Sequence, residues 1–135
     1  MMYILDTNIC IYAMKDIYPN LRKKLLTVNP RDIYISSITV GELEYGAAKS
    51  KWKEQNRLNM LLFLSAFNIL PFTEKDALIS GQIRATLESQ GLPIGPYDLL
   101  IASQGLSTGF SIVTHNTSEF SRVPSLNLED WVSAS

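Results

Sequence analysis

The chain is poor in the residues around which many small protein sites are built. It has one cysteine, one histidine and nearly balanced charge. A lone Cys10 cannot form an internal disulfide, so the fold must rest on its core, and a reducing compartment, the cytoplasm, is expected. Set among Ile9, Ile11 and Tyr12, Cys10 is expected to be a small core residue and not a nucleophile. A lone His115, with no second histidine or nearby thiol, excludes a zinc site of the usual ligand set. No apolar run is long enough to span a bilayer, and Met1-Met2 is not followed by a basic region and cleavage site, so no membrane association is expected. Gly-rich phosphate loops and the nucleophile elbow are also missing. Twelve Lys and Arg against 13 Asp and Glu leave a net charge of −1. A protein that grips long nucleic acid by charge alone carries a basic surplus, so any such ligand must be held locally.

What the chain does have is apolar segments that run into acids. The first is Tyr3-Ile4-Leu5-Asp6-Thr7-Asn8, a short buried strand ending in a carboxylate and two small polar residues. In open α/β sheets, ligands bind beyond the carboxyl ends of the strands. Ile33-Tyr34-Ile35 is a second strand and leads through Ser36-Ser37-Ile38-Thr39 into a helix to about Lys49. Asn68 to Phe72 is a third, ended or placed at an edge by Pro71. Phe110-Ser111-Ile112-Val113 is a fourth, with Thr114-His115-Asn116 at its exit, and Leu126-Asn127-Leu128 is a last edge strand.

Helices fill the intervals. Ile9 to Met14 is capped by Thr7 or Asn8, and Pro19 opens a helix whose leucines face one way. Residues 52 to 67 carry two adjoining apolar stripes. We expect part of Met60, Phe63, Leu64 and Phe67 to meet another chain, because so short a protein rarely buries two stripes. Thr73 caps a helix ended by Gly91, and Pro96 opens one ended by Gly109. Strands alternating with helices imply an α/β fold, with about four or five mainly parallel strands and helices on both faces. No linker or repeat interrupts residues 1–135, so one domain is expected.

Each acid near a strand exit has a structural explanation of its own. Thr39-Val40-Gly41-Glu42 fits a capping box, Asp98 follows Pro96 in a helix's first turn where the dipole favours it, Asn116 to Glu119 is a further cap, and Asp6 could order a turn. Their combination points elsewhere. Several carboxylates at one sheet rim repel unless cations sit between them. Mg²⁺ takes oxygen ligands and keeps several waters, and two such ions about 3.5–4 Å apart serve phosphodiester hydrolysis. Glu44, two residues along the helix from Glu42, points to a different side.

Taken in order, Leu5-Asp6-Thr7-Asn8, Ser36-Ser37-Ile38-Thr39-Val40-Gly41-Glu42-Leu43, Gly95-Pro96-Tyr97-Asp98 and Val113 to Phe120 resemble the PIN-domain ribonucleases, and within them the VapC toxins of type II toxin–antitoxin modules. The resemblance extends to Val123-Pro124 and Leu128-Glu129-Asp130-Trp131. It implies a PIN-like fold and an endoribonuclease dependent on Mg²⁺ or Mn²⁺, often directed at tRNA or another structured RNA. It also implies an inhibitory antitoxin partner and a homodimer. By position, Asp6 and Asp98 are its main metal ligands and Glu42 completes the shell or positions a water. Asn116 and Glu119 share the fourth polar position, Asn116 as a ligand and Glu119 as a catalytic acid, where many members have Asp. His115 is given no role. Two other possibilities are an inactive PIN fold that only binds partners and a haloacid-dehalogenase-like phosphotransfer domain with Asp6 as nucleophile. That second family places an Asp two residues on, and here the position is Asn8.

Overall fold

A computed structural model of the chain describes residues 1–133. Its core is a five-stranded sheet in the order β3-β2-β1-β4-β5. The strands are β1 (Tyr3–Leu5), β2 (Ile33–Ser36), β3 (Asn68–Leu70), β4 (Ser111–Val113) and β5 (Leu128–Glu129), and every pairing is parallel. The register sets Leu5 beside Ile35 on one side and Val113 on the other. All three central strands therefore end level, and Asp6, Ser36 and Thr114 leave from one edge.

Strand alternation divides the core in two. Leu5, Ile35 and Val113 face helices α1 (Thr7–Lys15), α2 (Pro19–Thr27), α3 (Ser37–Lys49) and α4 (Lys53–Leu64). Ile4 and Ile112 face α5 (Glu74–Ser89), α6 (Pro96–Thr108) and the short α7 (Thr117–Phe120). Cys10 is fully buried in the first layer, as its neighbours suggest, and burial pushes its thiol pKa well up.

Several expected caps are corrected. Helix α1 is capped by Asp6, whose Oδ1 accepts from the Ile9 N–H at 2.8 Å, and not by Thr7 or Asn8. Helix α3 starts earlier than the Thr39–Glu42 box requires, because the Ser36 hydroxyl accepts from the Ile38 N–H. Thr39 and Glu42 then lie inside the helix. Asn116 makes no side-chain cap on α7. The Thr73 cap is formed, reciprocally with Asp76, and Gly91 and Gly109 end their helices at φ 69° and 77°, a region that suits glycine. The last strand begins at Leu128 and covers two residues.

The double stripe of α4 is divided between this chain's core and its surface. Met60 is 2% exposed and Leu64 is buried, while Phe63 and Phe67 stack edge-on and pack on the same core. Met60 and Leu64 are covered by this chain, Phe63 and Phe67 keep part of their surface open, and Leu58, Leu61 and Leu62 form the stripe left outside. Periodicity marks two stripes but does not say which one the sheet will cover.

Candidate active site

The acids meet at the carboxyl edge of the sheet. Asp6 is fixed there by its capping bond and is 3% exposed. Burial pushes its pKa up, the Thr114 and Ile9 hydrogen bonds oppose this, and the charge of Glu42 adds to it. Glu42 arrives from the second turn of α3. Its Oε1 accepts a 2.6 Å hydrogen bond from the Thr7 hydroxyl, which also lies 3.0 Å from the Thr39 hydroxyl. Thr39 is one helical turn before Glu42, so the two side chains share a face and clasp the start of α1.

Asp98 enters from the first turn of α6, and no protein donor reaches it among the described residues. Its pKa is pushed up to about 6, first by burial and then by the charges of Glu119, Asp6 and Glu42. A helix N-terminus should favour the carboxylate, so burial and the surrounding negative charge together outweigh the dipole. Here the convergence is expressed as an energy, since one carboxyl feels three others.

Glu119 is engaged on both oxygens. Oε1 accepts from the Gly95 N–H at 2.5 Å and Oε2 from the Asn116 side-chain amide at 2.7 Å. A Cβ on Gly95 would lie 3.3 Å from the Glu119 carboxylate and 3.7 Å from that of Asp98. The two carboxylates thus flank the turn that opens α6, and glycine suits that turn because it leaves them room. Glu44 is elsewhere, in a two-pronged pair with Arg57, as its helical position predicts. His115 stands at the rim, its Nδ1 3.0 Å from Asp130 Oδ2 and its ring beside Tyr18.

A PIN domain model matches residues 3–126. The chain is also 47% identical over 135 residues to ribonuclease VapC2 of Rickettsia felis, covering 97% of this chain and 98% of that protein. The chain belongs to the VapC family of PIN domains. The tRNA(fMet)-specific endonuclease VapC of Shigella flexneri is 43% identical over 96% of this PIN domain and 97% of its own length. Among solved structures, DNA-bound VapBC from Salmonella typhimurium contains a chain that superposes with a TM-score of 0.91 at 40% identity, covering 97% of this chain and 98% of that one. The VapBC2 complex of Rickettsia felis on a promoter fragment gives 0.90 at 42%, over 97% and 99%.

Membership displaces the dehalogenase-like alternative. Asn8, where that family needs its second acid, is exposed on α1. No three His, Cys, Asp or Glu among the described residues of this PIN domain stand close enough to form a ready-made metal cage. The donor set still suits a hard cation. It is all oxygen, burial and the neighbouring carboxylates together raise Asp98, and Mg²⁺ is commonly bound through one or two carboxylates with its remaining positions left to water and substrate.

Sequence reasoning missed the hydroxyls. Thr7, Thr39 and Thr114 each hold or border a carboxylate of the site. Thr39 had a legible signal, its three-residue spacing from Glu42. Thr7 and Thr114 had none, because their partners lie far off in the chain.

Proposed function

We propose that this chain is the toxin of a type II toxin–antitoxin module, an endoribonuclease that hydrolyses RNA phosphodiester bonds at the Asp6, Glu42 and Asp98 rim. The observation that carries this reading is Asp98, its pKa pushed up to about 6 by burial and three neighbouring carboxylates at a sheet's carboxyl edge. That negative charge calls for a cation, and we assign Mg²⁺, with Mn²⁺ as its substitute. Bound there, such an ion supplies charge compensation for the phosphodiester and an acidified water.

The protein's own part is orientation. Asp98 has no competing protein donor among the described residues and Glu42 keeps Oε2 free, so both are available as ligands beside Asp6. Thr7 and Ile9 fix the rotamers of Glu42 and Asp6 before substrate arrives. Asn116 and Glu119 fill the fourth polar position as a hydrogen-bonded pair that anchors the start of α6. tRNA is the substrate class we assign, in line with the tRNA(fMet)-specific endonuclease named for the Shigella relative. The antitoxin partner of this reading is supported by the likeness to VapBC complexes; a homodimer and action in the cytoplasm belong to the same proposal, and among the described residues no helix is long and apolar enough to cross a membrane.

The test is cleavage of a tRNA transcript with Mg²⁺ and with EDTA, for the wild type and Asp98→Asn. Cutting that needs both Mg²⁺ and Asp98 supports the proposal. A folded wild type that cuts no RNA with Mg²⁺, nor with Mn²⁺ in its place, would make this a binding module on a PIN scaffold.

A further inference from the structure

The proposed chemistry leaves an electrostatic problem. The centre is acidic, the chain carries −1 overall, and an RNA is a polyanion. Affinity must come from cations placed elsewhere, and most arginines are committed. Arg22, Arg57 and Arg84 are paired with Asp16, Glu44 and Glu88, and Arg122 donates to the Pro93 carbonyl.

The connection between α3 and α4 is different. Lys49, Lys51 and Lys53 fall within five residues, none in a salt bridge among the described residues, against one nearby acid, Glu54. Two large aromatic rings stand beside them, Tyr45 and Trp52, each 67% exposed. Lys49 lies 4.8 Å from the Tyr45 ring centre and Lys51 5.3 Å from that of Trp52. Rings this open bury little against their own chain. Lysines beside open aromatic faces are what a nucleic-acid strand needs, phosphate contacts together with stacking platforms.

Position ties this surface to the acids. Glu42, Tyr45 and Lys49 are spaced by three and seven residues, so they share one face of α3. Seven residues rise about 10 Å, roughly three nucleotides at 3.4 Å per strand step. A strand with one phosphate at the acidic rim can run along this face to the α3–α4 tip.

On the reading that the acidic rim cuts RNA, we propose that the α3–α4 tip is the RNA anchor. Lys49, Lys51 and Lys53 contact phosphates, and Tyr45 and Trp52 stack on bases. Substrate affinity is thereby separated from the catalytic acids.

The experiment measures anisotropy of a labelled tRNA transcript in EDTA, where the proposed cleavage is silent, against salt concentration. The proteins are the wild type, Lys49→Gln/Lys51→Gln/Lys53→Gln, Trp52→Leu and Trp52→Phe. The triple variant should bind about tenfold more weakly and lose roughly 2–3 from the slope of log affinity against log salt. Trp52→Leu should bind about fivefold more weakly at unchanged slope, with Trp52→Phe recovering most of the loss. All variants should hydrolyse bis(p-nitrophenyl) phosphate with Mg²⁺ at the wild-type rate, since that substrate reaches only the rim. Wild-type affinity and slope in the triple variant overturn the anchor. So does a triple variant that binds RNA normally but loses a co-expressed partner protein, which makes the tip a protein-docking face. A wild type that hydrolyses neither substrate counts against the nuclease reading alone, because the anisotropy still judges the anchor.

Discussion

At the scale of single residues, the site is a set of carboxylates whose charges conflict, held by short hydroxyl and backbone hydrogen bonds. Asp98 shows the conflict most directly. Its pKa in the folded chain is about 6, above the ordinary aspartate value near 3.9 in an unfolded chain. The ionised form therefore destabilises the metal-free fold. Below about pH 4 the group is protonated in both states and the penalty is absent. It grows between about pH 4 and pH 6 and is complete above. Asp98→Asn should accordingly stabilise the protein in EDTA at pH 7 by about 1 kcal/mol after allowance for solvent screening and the lost dipole term. Urea unfolding at pH 7 and pH 4 should show that gain and then its disappearance. An Asp98→Asn protein less stable than wild type at pH 7 would contradict the charge crowding. The same substitution should lower RNA cleavage about a hundredfold or more.

Glu42 and Glu44 provide a second comparison at this scale. Glu42→Gln and Thr7→Val should each reduce cleavage about 10–100-fold, because one removes a proposed ligand and the other its support. Glu44→Gln should stay within about twofold of wild type, since Glu44 is tied to Arg57 on another side of α3. Initial rates on one RNA under saturating Mg²⁺ decide it, and the reverse order would move the site around the helix.

At the scale of elements, α4 and α6 make different demands. Met60, Leu64, Phe63 and Phe67 are the inner side of α4. Met60→Ala should cost about 2–5 kcal/mol, whereas Leu62→Ala, at 64% exposure, should stay within about 0.5 kcal/mol in the isolated chain. Thermal or urea unfolding separates the two. Helix α6 runs close over β4. A Cβ on Gly105 would come within 2.8 Å of Leu126 Cδ1 and 2.9 Å of Ile112 Cδ1. Gly105→Ala should therefore destabilise by about 1–3 kcal/mol through overpacking, even though alanine is the better helix former. An unchanged melting point would mean those two side chains can yield.

At the scale of the whole molecule, the sheet brings to one rim acids that are far apart in the chain, and a cation binding there should stabilise the fold by mass action. At a Mg²⁺ concentration near 100 times Kd the gain should be about 2.7 kcal/mol. Wild type should show this shift in a thermal melt with Mg²⁺ against EDTA, and Asp6→Asn much less of it. Equal responses in the two proteins would remove Asp6 from the ligand set.

The residues alone settled the class of fold and the order of the motifs. Apolar runs of strand length alternating with helical stripes lead to a parallel α/β sheet, because both periods are local properties of the chain. The acid after β1 is legible in the same way, as strand exit and turn chemistry are encoded side by side. The tertiary structure decided the remainder. It made Asp6 and not Thr7 or Asn8 the cap of α1, and Ser36 the cap of α3. It joined Thr7 to Glu42 across 35 positions and Glu119 to Gly95 across 24. It also chose which stripe of α4 would be covered. Periodicity fixes which side chains share a face, but what that face meets depends on segments distant in the chain, and only their packing assigns the partner.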